Sequence, residues 1–230
     1  MIPPCRVADR ADARRLRWEP SMIDLYTWTT PNGRKVSIAL EELGLPYRAH
    51  AIDITKDEQF QPDFLKISPN NRIPAIVDDE TGIHLMESGA ILIYLAERTG
   101  RLMPRDGHDR YRVIEWVMWQ MAGLGPMLGQ AHHFLRAKKG AAPYAEERYV
   151  AEAKRLYGVL DRRLEGREYV ADSYSIADIA MWPWVSRYEW HQVDINAFPN
   201  VKRWYVAIAG RPAVQRGYQV PSPAGEIPMP

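Results

Sequence analysis

Cysteine is nearly absent from this chain: among 230 residues there is only Cys5. A single thiol in the leading segment excludes a structural disulfide within the fold, a cysteine-ligated metal centre and a CxxC redox pair. Any thiol chemistry must therefore use a ligand's sulfur. An excess of charge is lacking too, since 30 Lys and Arg stand against 29 Asp and Glu for a formal net charge of +1. That balance is not the electrostatic footprint of a protein that binds nucleic acid or an acidic membrane surface. No apolar run approaches the roughly 18 residues of a membrane span, and there is no internal repeat or low-complexity tract.

What the chain does have is 46% hydrophobic residues, enough to bury a full core in one domain or two small ones. Residues 1–21 carry five arginines together with Asp9, Asp12 and Glu19 but no continuous apolar core, which argues against a secretory signal. Arginine richness is a property of organellar transit peptides, but such segments are poor in acids. The reading favoured is a disordered extension over 1–21, with Met22 opening the folded part.

Residues 23–28 alternate and are β-prone, and residues 29–33 break the strand. A helix follows, with Thr30 as cap, Pro31 in its first turn, Val36, Ala39, Leu40 and Leu43 on one face, and Gly44 as its stop. A second strand is predicted over 47–54. Residues 56–64, including Gln59, form a polar excursion. The stretch 70–91 then reads as a strand at 73–77 headed by Pro74, a polar turn at 78–82, a strand at 83–86 and a helix start at Glu87-Ser88. Proline near the head of a strand forfeits a ladder bond, and a cis peptide is the commonest reason to keep it there. Ser88 can cap the helix, whose free N–H groups can hold a carboxylate. The order β-α-β then β-β-α is the thioredoxin-like arrangement, an α/β domain over 22–104 with a mixed four-stranded sheet.

Glycine and proline concentrate over 100–107, which marks a linker. Beyond it the pattern is helical, an all-α domain over 108–218 with a tail at 219–230. A stripe at Val113, Trp116, Val117, Gln120 and Met121 is interrupted at 123–126. Another runs through Tyr149, Ala153, Leu156, Leu160 and Leu164. Ser175 and Asp178 form a capping box with Tyr174 placed for a staple, and the helix they open is apolar nearly all round, as expected at the centre of the domain. A last helix carrying Val201, Trp204, Tyr205 and Ile208 is expected to end at 210–212. The adjacent His132 and His133 do not face one ligand and have no His at i+4, so no metal is expected.

A thioredoxin-like domain followed by helices, with Ile-Pro before Glu-Ser and a Ser-Ile-Ala-Asp capping box, resembles a cytosolic glutathione S-transferase over about residues 22–215. Thr-Pro-Asn-Gly at 30–33, Ser-Pro-Asn-Asn-Arg-Ile-Pro-Ala-Ile at 68–76, and Gly-Leu-Gly-Pro-Met-Leu-Gly-Gln followed by His-His-Phe at 123–134 narrow the likeness. They are similar to the bacterial nu class, glutathione-dependent disulfide-bond oxidoreductases related to the yeast nitrogen-regulatory prion protein. The resemblance implies a homodimer that uses glutathione as co-substrate and acts on a disulfide or another electrophilic small molecule.

The same resemblance distributes roles over the residues. Thr30 and Asn32, at a helix N-terminus, would donate to the glutathione thiolate, where the competing readings are a plain cap and a turn residue. Thr29 competes with Thr30 for the sulfur, and Tyr26 lies within the strand. Glu87 would hold the γ-glutamyl ammonium and Ser88 the α-carboxylate. The main chain of Ile73, next to cis Pro74, would pair with the tripeptide backbone. Gln59 would meet the glycyl end, against a reading as solvated loop. Arg148, a surface helix charge by its sequence context, would reach glutathione from the neighbouring subunit. Two other functions stay open: transfer to carbon electrophiles or reduction of organic hydroperoxides, and a non-catalytic regulatory or ligand-binding role.

Overall fold

The computed structural model describes residues 22–230; the extension expected over 1–21, Cys5 included, lies outside them. Strand β1 (Ile23–Thr27) buries its alternate residues. Thr30, in extended backbone, caps α1 (Pro31–Leu43): its hydroxyl accepts the Gly33 N–H at 3.2 Å, Pro31 sits in the first turn, and Gly44 at φ 67° closes the helix. Strand β2 (Tyr47–Ala51) runs parallel to β1. It ends earlier than the expected 54 because the Asp53 carboxylate accepts from the Thr55 N–H and hydroxyl at 2.9 and 2.6 Å, which folds the chain into a turn. The polar excursion is structured, as a 3-10 turn at Glu58–Phe60 and helix α2 (Pro62–Ile67).

Strand β3 (Ala75–Asp78) is antiparallel to β1, and β4 (Ile83–Met86) is antiparallel to β3, giving the order β2-β1-β3-β4. This is the thioredoxin-like sheet that the element order implies. Pro74 precedes β3 rather than heading it from within, and the Ile73–Pro74 peptide is cis. Asp78 belongs to β3 and not to the turn; its buried carboxylate accepts from the Tyr94 hydroxyl at 2.5 Å and pairs with Arg98.

Helix α3 (Ser88–Thr99) completes the first domain. The second contains α4 (Gly107–Trp119), α5 (Gly125–His132), α6 (Pro143–Arg163), α7 (Ile176–Val185), α8 (Pro199–Ala209) and α9 (Pro212–Tyr218). Two expectations are corrected here. The interruption at 123–126 is not a break: a π-turn (Gln120–Leu124), in which the Gly125 N–H reaches the Gln120 carbonyl, carries α4 into α5, and Pro126 follows at the head of α5. Nor does the last helix end the fold, because Pro212 opens α9. Residues beyond it are docked as well, with the Tyr205 hydroxyl donating to the Pro228 carbonyl at 2.6 Å and the Gln219 side chain bonding Ala224 and Gly225.

Helix α7 is buried along its whole length, and the Ser175–Asp178 capping box forms as expected. Tyr174 is held by the Glu42 carboxylate at 3.1 Å and lies under the Arg211 guanidinium. Burial pushes the Asp178 carboxyl up to about 6, against bonds from Trp204, Val170 and Ser175 that favour its charge. Helix α1 packs against α3, α7 and α9, so it is buried on more than the face that Val36, Ala39, Leu40 and Leu43 mark out. Arg34 and Lys35 are both buried in consequence. Among the described residues no helix is long and apolar enough to cross a membrane.

Candidate functional site

The start of α1 is pressed against the end of β1. A Cβ on Gly33 would stand 2.2 Å from the Trp28 carbonyl oxygen, so only glycine lets the helix begin there. That close approach puts Asn32 at the edge of a cleft between the two domains. Across the cleft, Ser68 donates to the Arg72 carbonyl at 2.8 Å and pins the loop that carries Ile73 and Pro74. Helix α3 begins at the same cleft.

The cleft holds two adjoining cavities. One, of about 430 Å³, is lined by Asn32, Ser68, Asn70, Arg72, Ile73, Pro74, Met86, Glu87, Ser88, Met121 and Pro126. The other, of about 290 Å³, is lined by Asn32, Lys35, Glu87, Gln120, Met121, Gly125, Pro126, Gly129 and Trp184. Asn32, Glu87, Met121 and Pro126 belong to both.

Five of the residues singled out in the sequence therefore meet: Asn32, Ile73, Pro74, Glu87 and Ser88. Ser88 is not the cap of α3. Glu87 occupies that position with φ 71° and ψ 111°, a backbone conformation that side-chain-bearing residues rarely adopt, and Ser88 is the first helical residue. Such strain costs about 1–3 kcal/mol and collects at functional sites. Glu87 thus presents an exposed carboxylate at the cavity mouth, beside first-turn N–H groups that have no intrahelical acceptor.

Thr30, Gln59 and Arg148 do not line either cavity. Thr30 is engaged as the α1 cap, its hydroxyl proton still available. Gln59 lies on the 3-10 turn, its amide nitrogen reaching Asp57 at 3.4 Å. Arg148 is exposed on α6, in a separate depression of about 550 Å³ with Tyr144 and Arg155.

Three further residues give the site its electrostatics. Trp184 donates its indole N–H to Asn32 Oδ1 at 3.0 Å. An indole only donates, so the Asn32 oxygen must face it and the NH₂ must face away. Trp184 is itself held in a stack of rings: His132 lies on it at 5.5 Å, His191 on His132 at 4.7 Å, and the Tyr157 hydroxyl meets His191 Nδ1 at 3.1 Å. Burial drives both histidines toward the neutral form, His132 down to about 4. They pack the site, and among the described residues no group of His, Cys, Asp or Glu is arranged to hold a metal.

Lys35 stands one turn along α1 from Asn32 and is 1% exposed. Its three N–H bonds go to Gln120 Oε1 at 2.6 Å, Ser88 Oγ at 3.2 Å and Met121 Sδ at 3.4 Å. Desolvation lowers its pKa to about 7, partly offset by the Glu87 charge. Ser88 Oγ accepts from Lys35 and turns its own proton to Met121 Sδ at 3.6 Å, a weak acceptor that a stronger one in the cavity can replace. Gln120 Nε2 is buried and has no partner, an arrangement that costs about 1–3 kcal/mol.

By sequence Gln120 belongs to a helical stripe, and Lys35, Trp184 and Arg72 are not among the candidate residues. Two signals were present. Lys35 follows Asn32 at i+3, on the same helix face, and a glutamine amid Val113, Val117 and Met121 is a polar residue at a core position.

Comparison with known proteins bears on the same residues. A model described as "Glutathione S-transferase, N-terminal domain" matches residues 29–98, and one described as "Glutathione S-transferase, C-terminal domain" matches residues 123–212. The disulfide-bond oxidoreductase YfcG of Escherichia coli strain K12 is 50% identical over 198 residues, covering 84% of this chain and 92% of YfcG. A glutathione transferase of Burkholderia graminis, solved with two glutathione molecules per subunit, superimposes with a TM-score of 0.82 at 49% identity, covering 87% of this chain and 88% of its own. A Pseudomonas putida glutathione transferase, solved with one glutathione disulfide per subunit, gives 0.84 at 46% identity, covering 88% and 93%.

Proposed function

Because the chain belongs to the glutathione S-transferase family, we propose that it is a cytosolic, homodimeric glutathione-dependent disulfide-bond oxidoreductase in which glutathione supplies the reacting sulfur and no protein cysteine takes part. The observation that carries this reading is the polarity of the larger cavity. At one end the Asn32 NH₂, its oxygen tied to Trp184, is left as a donor at a helix N-terminus; at the other, Glu87 and Ser88 offer a carboxylate and a hydroxyl. Similarity to a relative named as a disulfide-bond oxidoreductase supports the choice of reaction.

In this reading the γ-glutamyl ammonium pairs with Glu87. Its α-carboxylate takes the Ser88 proton and the first N–H groups of α3. The Ile73 main chain pairs with the cysteinyl backbone, and Gln59 serves the glycyl end. A free thiol of pKa ~8.5 is mostly protonated at neutral pH; donors from Asn32, Thr30 and the α1 N-terminus, with the positive end of the helix dipole, favour the thiolate. The thiolate attacks a disulfide, forming a mixed disulfide and releasing one thiolate, and a second glutathione resolves it to glutathione disulfide. Arg148 reaches the ligand of the partner protomer.

Turnover of a small mixed disulfide, a chloronitrobenzene and cumene hydroperoxide, each with glutathione, tests the reaction class. Disulfide reduction should dominate, in wild type and Cys5→Ala alike; background-level reduction in both would reject the reading in favour of transfer, peroxidase or ligand-binding roles. Asn32→Ala should lower kcat about 100-fold with little change in glutathione affinity, because its bond goes to charge developed only on the thiolate.

A further inference from the structure

Thiol–disulfide exchange places negative charge on two sulfurs, the attacking atom and the leaving atom. Thr30 and Asn32 attend to the first. The smaller cavity contains a donor suited to the second. Gln120 is fully buried on the π-turn; its Oε1 accepts from Lys35 at 2.6 Å, and its Nε2 has no partner. The ammonium of Lys35 only donates, so turning the amide over would set donor against donor. Gly125 packs closely on it: a Cβ there would stand 2.6 Å from Gln120 Nε2 and 3.4 Å from the Trp184 indole nitrogen, so any larger residue would push the amide aside. Gln120 lines the 290 Å³ cavity that Asn32 also lines. A buried, unpaired N–H beside a buried cation is built for an anionic acceptor.

We propose that Gln120 is a second catalytic donor, whose Nε2–H bonds the leaving sulfur of a disulfide held in the smaller cavity, and that Lys35 is the positioning residue that aims it. The proposal rests on the disulfide-reductase reading and deepens it. With a glutathionyl disulfide GS–SR, the thiolate at Asn32 attacks the glutathionyl sulfur and a new S–S bond forms as the old one breaks. RS⁻ departs with the electron pair, accepts the Gln120 N–H, and takes a proton from water on release. Two glutathione sulfurs end oxidised in GS–SG and one sulfur ends reduced as RSH. Lys35 does not touch the leaving atom, because its three N–H bonds are committed to Gln120, Ser88 and Met121.

Such a donor matters most when the leaving thiolate is basic. The test uses two glutathionyl disulfides, one releasing 2-mercaptoethanol and one releasing 5-thio-2-nitrobenzoate, with the ionisation of bound glutathione followed by thiolate absorbance. Gln120→Met should cut turnover of the alkyl substrate roughly tenfold and of the aryl substrate less than about twofold, with thiolate absorbance unchanged. Gly125→Ala, whose methyl displaces the amide, should give the same pattern and serves if Gln120→Met fails to fold. Equal losses on both substrates, lost thiolate absorbance or unaltered rates in the folded variants would overturn the proposal while leaving the disulfide-reductase reading intact. A wild type that reduces neither disulfide would overturn both.

Discussion

Arg34 and Lys35 are consecutive residues of α1, each about 1% exposed, yet they serve opposite sides of the helix. Arg34 faces α9: its Nε donates to the Tyr218 carbonyl at 3.2 Å and its guanidinium lies 3.5 Å over the Tyr218 ring. Ser37, on the same side, donates to the Gly217 carbonyl at 2.7 Å, and a Cβ on Gly217 would stand 2.7 Å from the Ile38 main chain. Lys35 faces the cleft, where its acceptors are side chains of α3 and the π-turn. On the Arg34 side the partners are backbone and ring, which suit permanent packing, and one guanidinium nitrogen, Nη1, is left buried without an acceptor. The other ends in side chains that line a cavity, where the unpartnered Gln120 Nε2 and the weakly engaged Ser88 hydroxyl suit a ligand.

The largest effects should separate these two cations. Arg34→Met removes a buried cation whose partners are main chain and ring, so it should cost about 3 kcal/mol of stability while turnover per folded molecule is kept. Lys35→Met should do the reverse, lowering kcat/KM for glutathione with an alkyl disulfide about 50-fold, roughly tenfold in kcat through the Gln120 amide and about fivefold in KM through the Ser88 hydroxyl as both lose their orientation, with stability within about 2 kcal/mol of wild type. Denaturant melts and disulfide-reductase assays on the two proteins decide it; a pair of variants with the same profile would remove the distinction.

Lys35 should also leave a mark on the pH dependence of stability. Its folded pKa of about 7 lies below the ordinary 10.5, so between those values the unfolded chain binds more protons and stability rises with pH. His132, at about 4, acts at lower pH. The buried tyrosines are raised above their ordinary 10.0. Lys35→Met should flatten the rise between about pH 7 and 10, and Arg34→Met should retain it; the same slope in both proteins would assign it to other groups.

A smaller effect tests the cleft side from the second domain. Trp184→Phe keeps most of the ring surface against His132 and loses only the N–H that fixes Asn32. Turnover should fall roughly tenfold, and the pKa of bound glutathione should rise as the amide samples its flipped orientation. An unchanged thiol pKa would show that Asn32 is oriented without the indole.

The contrast also explains what could be read in advance. Strand and helix order, the Thr30 cap, the Ser175–Asp178 box and the cis Ile73–Pro74 bond depend on near neighbours in the chain, and those are the features the residues announce. Asn32, Ile73, Glu87 and Ser88 were legible because each sits at an element boundary with a distinctive neighbour. Lys35 and Trp184 were not, since their meaning comes from partners 85 and 152 residues away, Gln120 and Asn32. The π-turn at Gln120–Leu124 was hidden in the same way: Gly123, Gly125 and Pro126 read as a break, and only packing against α7 and Lys35 makes them a widened helix. Helix α9 is hidden because Pro212 reads as a stop where it is a start.

The mildest comparison uses two buried serines. Ser37 Oγ is occupied by the Gly217 carbonyl and also reaches the Arg34 carbonyl at 3.3 Å, so its proton has no role beyond joining α1 to α9. Ser37→Ala should cost about 1 kcal/mol, lowering Tm by about 2–4 °C for a chain of this size, with KM for glutathione unchanged. Ser88 Oγ accepts from Lys35 and gives its proton only to Met121 Sδ at 3.6 Å, a weak acceptor at the cavity wall that a carboxylate can displace. Ser88→Ala should raise KM for glutathione about fivefold, the worth of one hydrogen bond, and leave kcat near wild type, because a carboxylate anchor is held as tightly in the ground state as in the transition state. A Ser88→Ala protein that lost kcat instead would mean that the hydroxyl Lys35 polarises acts on the sulfur rather than on the anchor, and the division of labour along the cleft would have to be redrawn.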